Sequence, residues 1–259
     1  MNALAHDRVA REGVLIIAHR GASADAPENT LVAFRRAIDA GADLVELDYR
    51  HTKDGEPYVL HDRTLDRTTD AVARWGGAEL PLADRTAAEL RQLDAGAWFH
   101  PRFRGTRVPH LREALEAIQA EGVTLIERKS GDPRTLVALL KRLDLVDRVV
   151  VQSFDWRFLL ACRDLDPRLV LGALGSKALT AERLAQLRQV DPAVVGWNHE
   201  YLDAAAVKAV HDQKRRLWAY TVNDTQRARE LKSLGVDGII TDRPARIRAA
   251  LAAGGAEGR

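Results

Sequence analysis

The sequence predicts an α/β fold, namely a (β/α)8 TIM barrel with a small insertion after strand two. The chain has 259 residues, the usual size of one such barrel. Short apolar segments alternate with amphipathic helical segments along the whole chain and give eight strand–helix units. The competing arrangement is a doubly wound open sheet. That fold normally has a glycine-rich phosphate loop after its first strand, where this sequence reads His19-Arg20-Gly21-Ala22.

The predicted strands are short runs rich in Val, Ile and Leu. In chain order they cover residues 15–19, 44–49, 124–129, 149–153, 169–173, 194–198, 217–222 and 238–241. Helices are predicted where apolar residues recur every three or four positions. They cover residues 31–40, 111–121, 133–143, 156–164, 181–188, 203–211, 225–234 and 244–253. Because a helix separates each strand from the next, the strands are expected to be parallel.

The connection between strand two and its helix is too long for an ordinary loop. This insertion covers about residues 62–109 and contains a helix-like segment, 85–93. We expect it to fold over one end of the barrel within a single domain that covers residues 1–259. Its aromatic residues Trp75, Trp98 and Phe99 either form a small core or line a wall of the substrate site.

Composition excludes several classes of partner. The net charge is +2 and the basic residues are spread along the chain, so we expect no binding to nucleic acid. The longest apolar runs have strand length, so we expect no stable membrane insertion. Residues 1–13 lack the apolar core of a signal peptide, which favours a cytoplasmic protein. The single cysteine, Cys162, lies in an apolar helical pattern and is predicted to be a buried, unreactive thiol.

Acidic residues are predicted to meet at the C-terminal end of the barrel. Alternate residues of a barrel strand face inward, and active sites form where the strands end. Glu46 and Asp48 share the inward face of the second strand, and Glu127 and Lys129 share that of the third. Three carboxylates with room for water suit Mg²⁺ or Ca²⁺. Zn²⁺ fits less well, because catalytic zinc usually takes imidazole or thiolate ligands.

Two histidines are predicted to lie at the same rim. His19 ends the first strand and precedes Arg20, whereas His61 opens the loop after the second. Histidines beside a metal suit general acid–base catalysis, and Arg20 with Lys129 suits a phosphate. Taken singly, such a histidine is usually structural, and Glu127 with Lys129 reads as an ion pair. Their convergence on one rim is what predicts an active site.

The segments around these residues resemble the glycerophosphodiester phosphodiesterase family. The resemblance runs from about residue 15 to residue 250. Its motifs are His19-Arg20-Gly21-Ala22, Pro27-Glu28-Asn29-Thr30, Glu46-x-Asp48, Thr52-x-Asp54-Gly55, His61-Asp62-x-Thr64-Leu65-Asp66-Arg67-Thr68-Thr69, Glu127-x-Lys129, Gln152-Ser153-Phe154, Thr221-Val222-Asn223 and Thr241-Asp242-x-Pro244. The resemblance implies a TIM barrel that hydrolyses small-molecule glycerophosphodiesters, in a metal-dependent reaction, to glycerol 3-phosphate and an alcohol.

The resemblance also implies a role for each matching residue. The metal ligands would be Glu46, Asp48 and Glu127; the acid–base pair His19 and His61; and the phosphate-binding residues Arg20 and Lys129. We expect Mg²⁺ or Ca²⁺ in the metal site. The nucleophile is either water or the substrate's own 2-hydroxyl. Because His61 lies nearer the insertion, the sequence favours it as the acid and His19 as the base.

Two positions depart from the family pattern. Arg128 occupies a position that is usually aliphatic and faces the helices, so we expect unusual packing there. Tyr220 replaces a usual tryptophan beside the substrate and adds a hydroxyl, which predicts a more polar pocket for the leaving group. Trp218 shares its face one layer deeper, and both side chains are predicted to bind substrate.

Three other functions stay open at this point. A lysophospholipase D-like phosphodiesterase would need a wider mouth, which the insertion decides. A barrel glycosidase would use Glu46 and a second carboxylate, and it would keep its activity in a chelator. A non-catalytic binder of phosphate ligands would be natural if a histidine or an acidic ligand were missing, and none is missing.

Overall fold

Eight parallel strands close into a barrel in the computed structural model of this protein, which describes residues 4–253. The strands are β1 (Leu15–Ala18), β2 (Leu44–His51), β4 (Thr124–Arg128), β5 (Val149–Ser153), β6 (Val170–Gly175), β7 (Val194–Asn198), β8 (Arg216–Tyr220) and β9 (Gly238–Thr241). Each pairs with the next in this order, and β9 returns to β1 through the pair Ile16 and Ile239. The predicted TIM barrel is confirmed.

The helices follow the strands as predicted, with two short ones in the insertion and one before β1. They are α1 (Ala5–Ala10), α2 (Leu31–Asp39), α3 (Ala71–Trp75), α4 (Ala87–Leu90), α5 (Leu111–Gln119), α6 (Pro133–Arg142), α7 (Trp156–Leu165), α8 (Ala181–Val190), α9 (Ala204–His211), α10 (Thr225–Leu234) and α11 (Pro244–Ala253). Three 3₁₀ turns cover Leu82–Asp84, Pro101–Phe103 and His199–Tyr201. Side chains that accept from the first turn cap most of the long helices, as Thr30 does for α2 and Asp155 for α7.

Two apolar layers fix which way each strand residue points. Leu44 packs with inward-facing residues of other strands, such as Leu125 and Ile240, in the interior of the barrel. Val45 and Leu47 belong to the larger layer between the strands and the surrounding helices. Because side chains alternate along a strand, the polar residues that follow Leu44 at every second position face the interior.

Helix α1 closes the N-terminal end of the barrel. It buries Ala5 and Val9 against the inward-facing cluster that contains Leu15 and Leu44, the first residues of β1 and β2. The backbone N–H of Ala5 also donates to the carbonyl of Asp147 at 2.9 Å. The sequence pattern did not predict this helix, because two buried residues in six give too weak a periodicity. Within residues 4–253 this end of the barrel is therefore covered, whereas cavities adjoin the C-terminal ends of the strands.

The insertion builds a small core beside β2. It is preceded by β3 (Pro57–Val59), an unpredicted strand that pairs antiparallel with the end of β2, so His61 follows β3 rather than coming directly after the second barrel strand. Leu65, Leu82 and Leu90 are buried in this core, and Trp75 packs against it. The predicted helix over 85–93 is shorter, since only α4 is helical there.

Phe99 packs with a neighbouring apolar cluster that contains Phe103, whereas Trp98 is 39% exposed. Neither residue, nor Trp75, lines the cavities at the mouth of the barrel. The small-core interpretation therefore fits Trp75 and Phe99 better than a substrate wall does.

Two further expectations concern the chain as a whole. Within residues 4–253 no helix combines the length and the apolar character needed to cross a bilayer. Cys162 is fully buried on α7, as predicted, and burial raises the pKa of its thiol to about 12. A thiol with this pKa is protonated and unreactive at neutral pH.

Candidate active site

Three carboxylates meet at the inner rim of the barrel. Glu46 and Asp48 lie on the inward face of β2, and the pairing of β2 with β4 sets Asp48 directly opposite Glu127. Carboxylate oxygens of the three residues all lie within 4.8 Å of one another. Glu46 and Asp48 have no exposed surface, and Glu127 is buried. The structure thus brings together the three predicted metal ligands.

Two cations offset part of the charge of this acidic cluster, and a neutral amide donates a hydrogen bond to it. The Nζ of Lys129 lies 3.2 Å from Asp48 Oδ1 and also contacts Glu127 Oε1. On the other side, the Nε of Arg20 lies 3.2 Å from Asp48 Oδ2, and the Arg20 backbone N–H donates to Glu46 Oε2 at 2.7 Å. Asn29 Nδ2 donates to Asp48 Oδ2 at 2.9 Å.

The pKa values of the three carboxyls are shifted in different directions. Burial, together with the charge of Asp48, raises the pKa of Glu127 to about 7. Burial and the charges of Asp48 and Glu127 raise the pKa of Glu46 as well. Burial also opposes the ionisation of Asp48, but Lys129 and Arg20 outweigh it and lower the pKa of that carboxyl. The three carboxylates carry more negative charge than Lys129 and Arg20 can offset, so two of the three carboxyls bind protons more tightly than usual.

The hydrogen-bonding state and the chemistry of the cluster's oxygen atoms fit a divalent cation. Glu46 Oε1 is buried, and no other group in residues 4–253 hydrogen-bonds to it. A buried, unpartnered carboxylate oxygen is costly unless an ion completes its surroundings. All three side chains offer oxygen, the ligand atom that Mg²⁺ and Ca²⁺ prefer. Glu46, Asp48 and Glu127 are thus the residues that could hold such an ion.

His19 lies at the tip of β1, where an aspartate fixes its ring. Its Nδ1 lies 2.7 Å from Oδ1 of Asp242, which follows β9. Asp242 is held in turn by neutral donors, the Ser23 hydroxyl at 2.9 Å and the Asn223 side-chain amide. Burial opposes its ionisation, but these hydrogen bonds and His19 lower the pKa of Asp242 to about 2. The contact with Nδ1 leaves Nε2 of His19 as the nitrogen for chemistry.

His61 also pairs with an aspartate, but that aspartate forms an ion pair with an arginine as well. Its Nδ1 lies 2.7 Å from Oδ1 of the adjacent Asp62. Arg67 Nε donates to Asp62 Oδ2 at 2.6 Å, and this bond holds the pKa of Asp62 well below its usual range. The Arg67 guanidinium also donates to both oxygens of Glu28 at 2.8 Å, and Glu28 Oε1 accepts from Arg20 at 2.9 Å. Burial lowers the pKa of His61.

Cavities of two sizes adjoin the site, and His19 borders both. The larger, of about 340 Å³, is lined by polar groups that include Arg20, Glu28 and Asp242. The smaller, of about 30 Å³, has a more apolar lining, with Phe154 and Tyr220 among its residues. The rim therefore combines a polar cleft with a narrow aromatic recess, and His19 belongs to the lining of both.

The two aromatic residues predicted to bind substrate differ in position. Tyr220 lines the smaller cavity, and its hydroxyl donates to the carbonyl of Gly175 at 2.7 Å. That bond uses the only proton of the hydroxyl, so toward a substrate the Tyr220 oxygen could act only as a hydrogen-bond acceptor. Trp218 is fully buried among the interior residues, one layer deeper, and has no exposed surface with which to contact a substrate. It packs against Gly238, where an added Cβ would lie 2.6 Å from the indole.

Arg128, the other departure from the family pattern, packs through its guanidinium. The group lies over the ring of Phe158 at 4.8 Å and donates to the carbonyl of Gly131 and to Asp155. It thereby joins the loops that follow β4 and β5. The unusual packing expected at this position is a cation–π contact with extra loop hydrogen bonds.

Sequence reasoning missed the residues that hold the histidines. Asp62, Asp242, Asn223, Glu28 and Arg67 all lie inside the motifs quoted above, yet no role was assigned to them. The available signal was positional for Asp62, which follows His61 directly. Asp242 comes from the far end of the chain, and only closure of the barrel brings it to His19.

Comparison with known proteins agrees with this fold and shows the family. The model of the glycerophosphoryl diester phosphodiesterase family matches residues 19–246. A glycerophosphodiester phosphodiesterase of Caldanaerobacter subterraneus is 35% identical, covering 89% of this chain and 94% of the relative. One from Bacillus subtilis is 32% identical, covering 94% of this chain and 86% of the relative.

A solved structure of a phosphodiesterase has the same fold. A phosphodiesterase of Oleispira antarctica, in complex with the product sn-glycerol-3-phosphate, superposes with a TM-score of 0.84 at 31% identity. The match covers 92% of this chain and 96% of that one. Fold and site thus define an enzyme of the phosphodiesterase class. The chain belongs to the glycerophosphoryl diester phosphodiesterase family.

Proposed function

We propose that this protein hydrolyses glycerophosphodiesters to glycerol 3-phosphate and an alcohol, with Glu46, Asp48 and Glu127 holding a divalent cation. The observation that carries the proposal is the arrangement of the two histidines. Each has its Nδ1 beside an aspartate, and each is next to a residue whose backbone N–H bonds to the cluster: Arg20 donates to the Glu46 carboxylate, and Leu60 donates to the Asp48 carbonyl. The names of the relatives and the product complex of the Oleispira antarctica enzyme support the substrate class.

The phosphate would lie against the cationic side chains of the rim. Arg20 is half-buried and already oriented by Glu28 and Asp48, so little side-chain entropy is lost when it binds. Lys129 supplies a second positive charge from the end of β4. A bound divalent cation would add charge that offsets the developing negative charge on the phosphoryl oxygens.

The histidines would move the protons. One accepts the proton of the attacking hydroxyl, from water or from the substrate's 2-hydroxyl, as the new P–O bond forms. The other donates a proton to the alcohol oxygen as its P–O bond breaks. If the 2-hydroxyl attacks, water then opens the resulting cyclic phosphate. After turnover, solvent restores both rings to their starting protonation states.

The structure favours His19 as the acid and His61 as the base, the reverse of the sequence-based assignment. Asp62 shares its charge with Arg67, so it stabilises an imidazolium less than Asp242, whose other partners are neutral. Burial also lowers the pKa of His61, which keeps that ring neutral and able to accept a proton.

The first test of the function is a substrate panel scored for released glycerol 3-phosphate. Diesters of choline, ethanolamine, glycerol and inositol would be supplied to metal-stripped enzyme, with and without added Mg²⁺ or Ca²⁺. We expect no turnover in excess chelator and recovery with one of the two ions. Full activity in chelator would contradict the assignment of the three carboxylates.

The second test separates the two histidines. Alkyl alcohols need a proton to leave, and general acid catalysis is typically worth about 10²–10⁴-fold, whereas a nitrophenolate leaves without that proton. We expect His19→Ala to retain far more activity on an aryl phosphodiester than on glycerophosphocholine, and His61→Ala to lose both activities equally. The opposite pattern would restore the sequence-based assignment. Equal losses in both variants would contradict the acid–base mechanism.

A further inference from the structure

A second groove, of about 590 Å³, lies beside the candidate active site and has no part in the mechanism above. It shares Phe154 and Leu174 with the narrow recess at His19. The Phe154 ring lies 6.0 Å from Lys129 Nζ and meets the Tyr220 ring edge-on, with 6.1 Å between centroids. One aromatic ring therefore separates the groove from a phosphate held by Lys129.

The walls of the groove are fixed by tryptophans whose polar atoms are already used. Trp197 donates from Nε1 to the carbonyl of Lys177 at 2.6 Å, and Trp156 donates to that of Leu174 at 2.9 Å. Trp197 also lies so close to Gly175 that an added Cβ there would come within 2.1 Å of the indole. The walls thus offer a rigid aromatic surface with no free indole donor.

The charge of the groove is positive and uncompensated. Arg157, Lys177 and Arg183 line it, and within residues 4–253 none of their charged groups forms an ion pair or a hydrogen bond. The one acidic residue in its lining is Asp155. That carboxylate already pairs with Arg128 at 3.0 Å and caps the first turn of α7. An anion entering the groove would therefore meet three unpaired cations.

We infer that this groove binds a second anionic group on the substrate, so that the enzyme prefers glycerophosphodiesters carrying an additional negative charge. A diester held at Lys129 can extend one substituent across Phe154 and deliver that charge to Arg157, Lys177 and Arg183. This inference rests on the proposed function and names its substrate class. Because the cations are at least partly exposed, each contributes up to about fivefold in affinity. The whole preference should weaken as salt increases.

A matched pair of substrates isolates the additional charge. Glycerophosphoglycerol has a neutral alcohol, and bis(glycerophospho)glycerol has the same linkage with one more phosphodiester. We expect the ratio of their kcat/KM values, corrected for the two equivalent bonds of the larger diester, to favour the larger by about tenfold or more at low salt. Raising the ionic strength should reduce that ratio.

Variants test whether the substrate preference arises from the cations of the groove. The triple variant Arg157→Gln, Lys177→Gln, Arg183→Gln should lose the preference and keep the kcat/KM for glycerophosphoglycerol. Arg188→Gln, which removes an exposed charge from the same helix α8 outside the groove, should keep the preference. A triple variant that retains the preference, or an Arg188→Gln variant that loses it, would overturn the inference.

An acyl chain is the competing occupant, because aromatic rings form the walls. In that case lysophospholipids would be the better substrates, and Trp156→Ala would reduce their turnover while the triple variant had no effect. That result would also overturn the inference.

A binding measurement separates this inference from the proposed function. Isothermal titration of both diesters into metal-loaded His19→Ala protein measures affinity in a variant whose turnover we expect to be slow. Tighter binding of the larger diester that depends on the three cations supports the groove, even if no diester is cleaved. Cleavage of both diesters with equal affinity supports the function and refutes the groove.

Discussion

Replacing Glu46 by glutamine should stabilise the metal-free protein, although it removes a proposed ligand. Carboxylate oxygens of Glu46, Asp48 and Glu127 lie within 4.8 Å of one another, and two charges at that distance repel by about 3 kcal/mol at an effective dielectric of about 20. The substitution also removes the attraction between Glu46 and Arg20, which offsets part of the gain. We therefore expect a net stabilisation of about 2 kcal/mol, or roughly 4–8 °C in melting temperature.

The sign of the pH dependence follows from the raised pKa of Glu46. A carboxyl whose pKa is higher in the folded than in the unfolded protein lowers stability increasingly as pH rises above the unfolded value. The advantage of Glu46→Gln should therefore be largest near pH 8 and shrink toward pH 5. The assay is thermal unfolding in chelator across this range. Circular dichroism at one pH verifies the fold.

Saturating metal should reverse the order of the two melting temperatures. An ion at a hundred times its Kd adds about 2.7 kcal/mol to the wild type, and the variant binds it more weakly. Glu28→Gln is the matched control. Burial opposes the ionisation of Glu28, but Arg67 and Arg20 outweigh it and lower the pKa of this carboxyl, so the change should destabilise the protein with or without metal. If Glu46→Gln melted below wild type in chelator at every pH, Glu46 would be a structural residue and the repulsion argument would be wrong.

Three further predictions concern the same rim. Because the pKa of Glu127 is about 7 without metal, a proton competes with the ion for this carboxylate. Calorimetry should therefore show about tenfold weaker metal binding at pH 6 than at pH 8, and equal affinities would contradict this. Tyr220→Trp should change the ranking of head groups while activity remains, and an unchanged ranking would mean that this side chain does not contact the leaving group. Arg67→Gln should remove the hydrogen bond to Asp62 and shift the pH profile of kcat, with little change in KM. Arg67→Lys should restore part of the wild-type profile, and an unshifted profile would show that Arg67 only supports the fold.

Local pattern was sufficient to predict the barrel and the acidic cluster. Alternation along β2 and β4 decides that Glu46, Asp48 and Glu127 face inward, and the parallel order decides that they meet at one end. The same argument placed Trp218 correctly in depth but assigned it a substrate contact. A residue's distance from the rim depends on where each strand ends, and the sequence fixes those ends only approximately.

The hydrogen bonds that orient the histidines could not be predicted in the same way. Asp242 reaches His19 only because β9 pairs with β1 across the closed barrel. The chain of contacts from His61 through Asp62 and Arg67 to Glu28 crosses from the insertion to the first loop. Such contacts depend on loop conformation, for which hydrophobic periodicity gives no information.

Charge balance at the rim links the metal to the substrate. When all five groups are ionised, Glu46, Asp48 and Glu127 exceed Arg20 and Lys129 by one negative charge. The metal-free cluster would therefore repel a phosphodiester once pH is high enough to ionise Glu46 and Glu127, whose pKa values are raised. A bound divalent cation would reverse that sign, and the single negative charge of the diester would then restore neutrality in a buried setting where charge is costly. Because binding effects are reciprocal, the diester must tighten the metal by the same factor as the metal tightens the diester. If the proposed metal site is correct, the same buried carboxylates that we expect to destabilise the metal-free barrel would also make substrate binding depend on the ion.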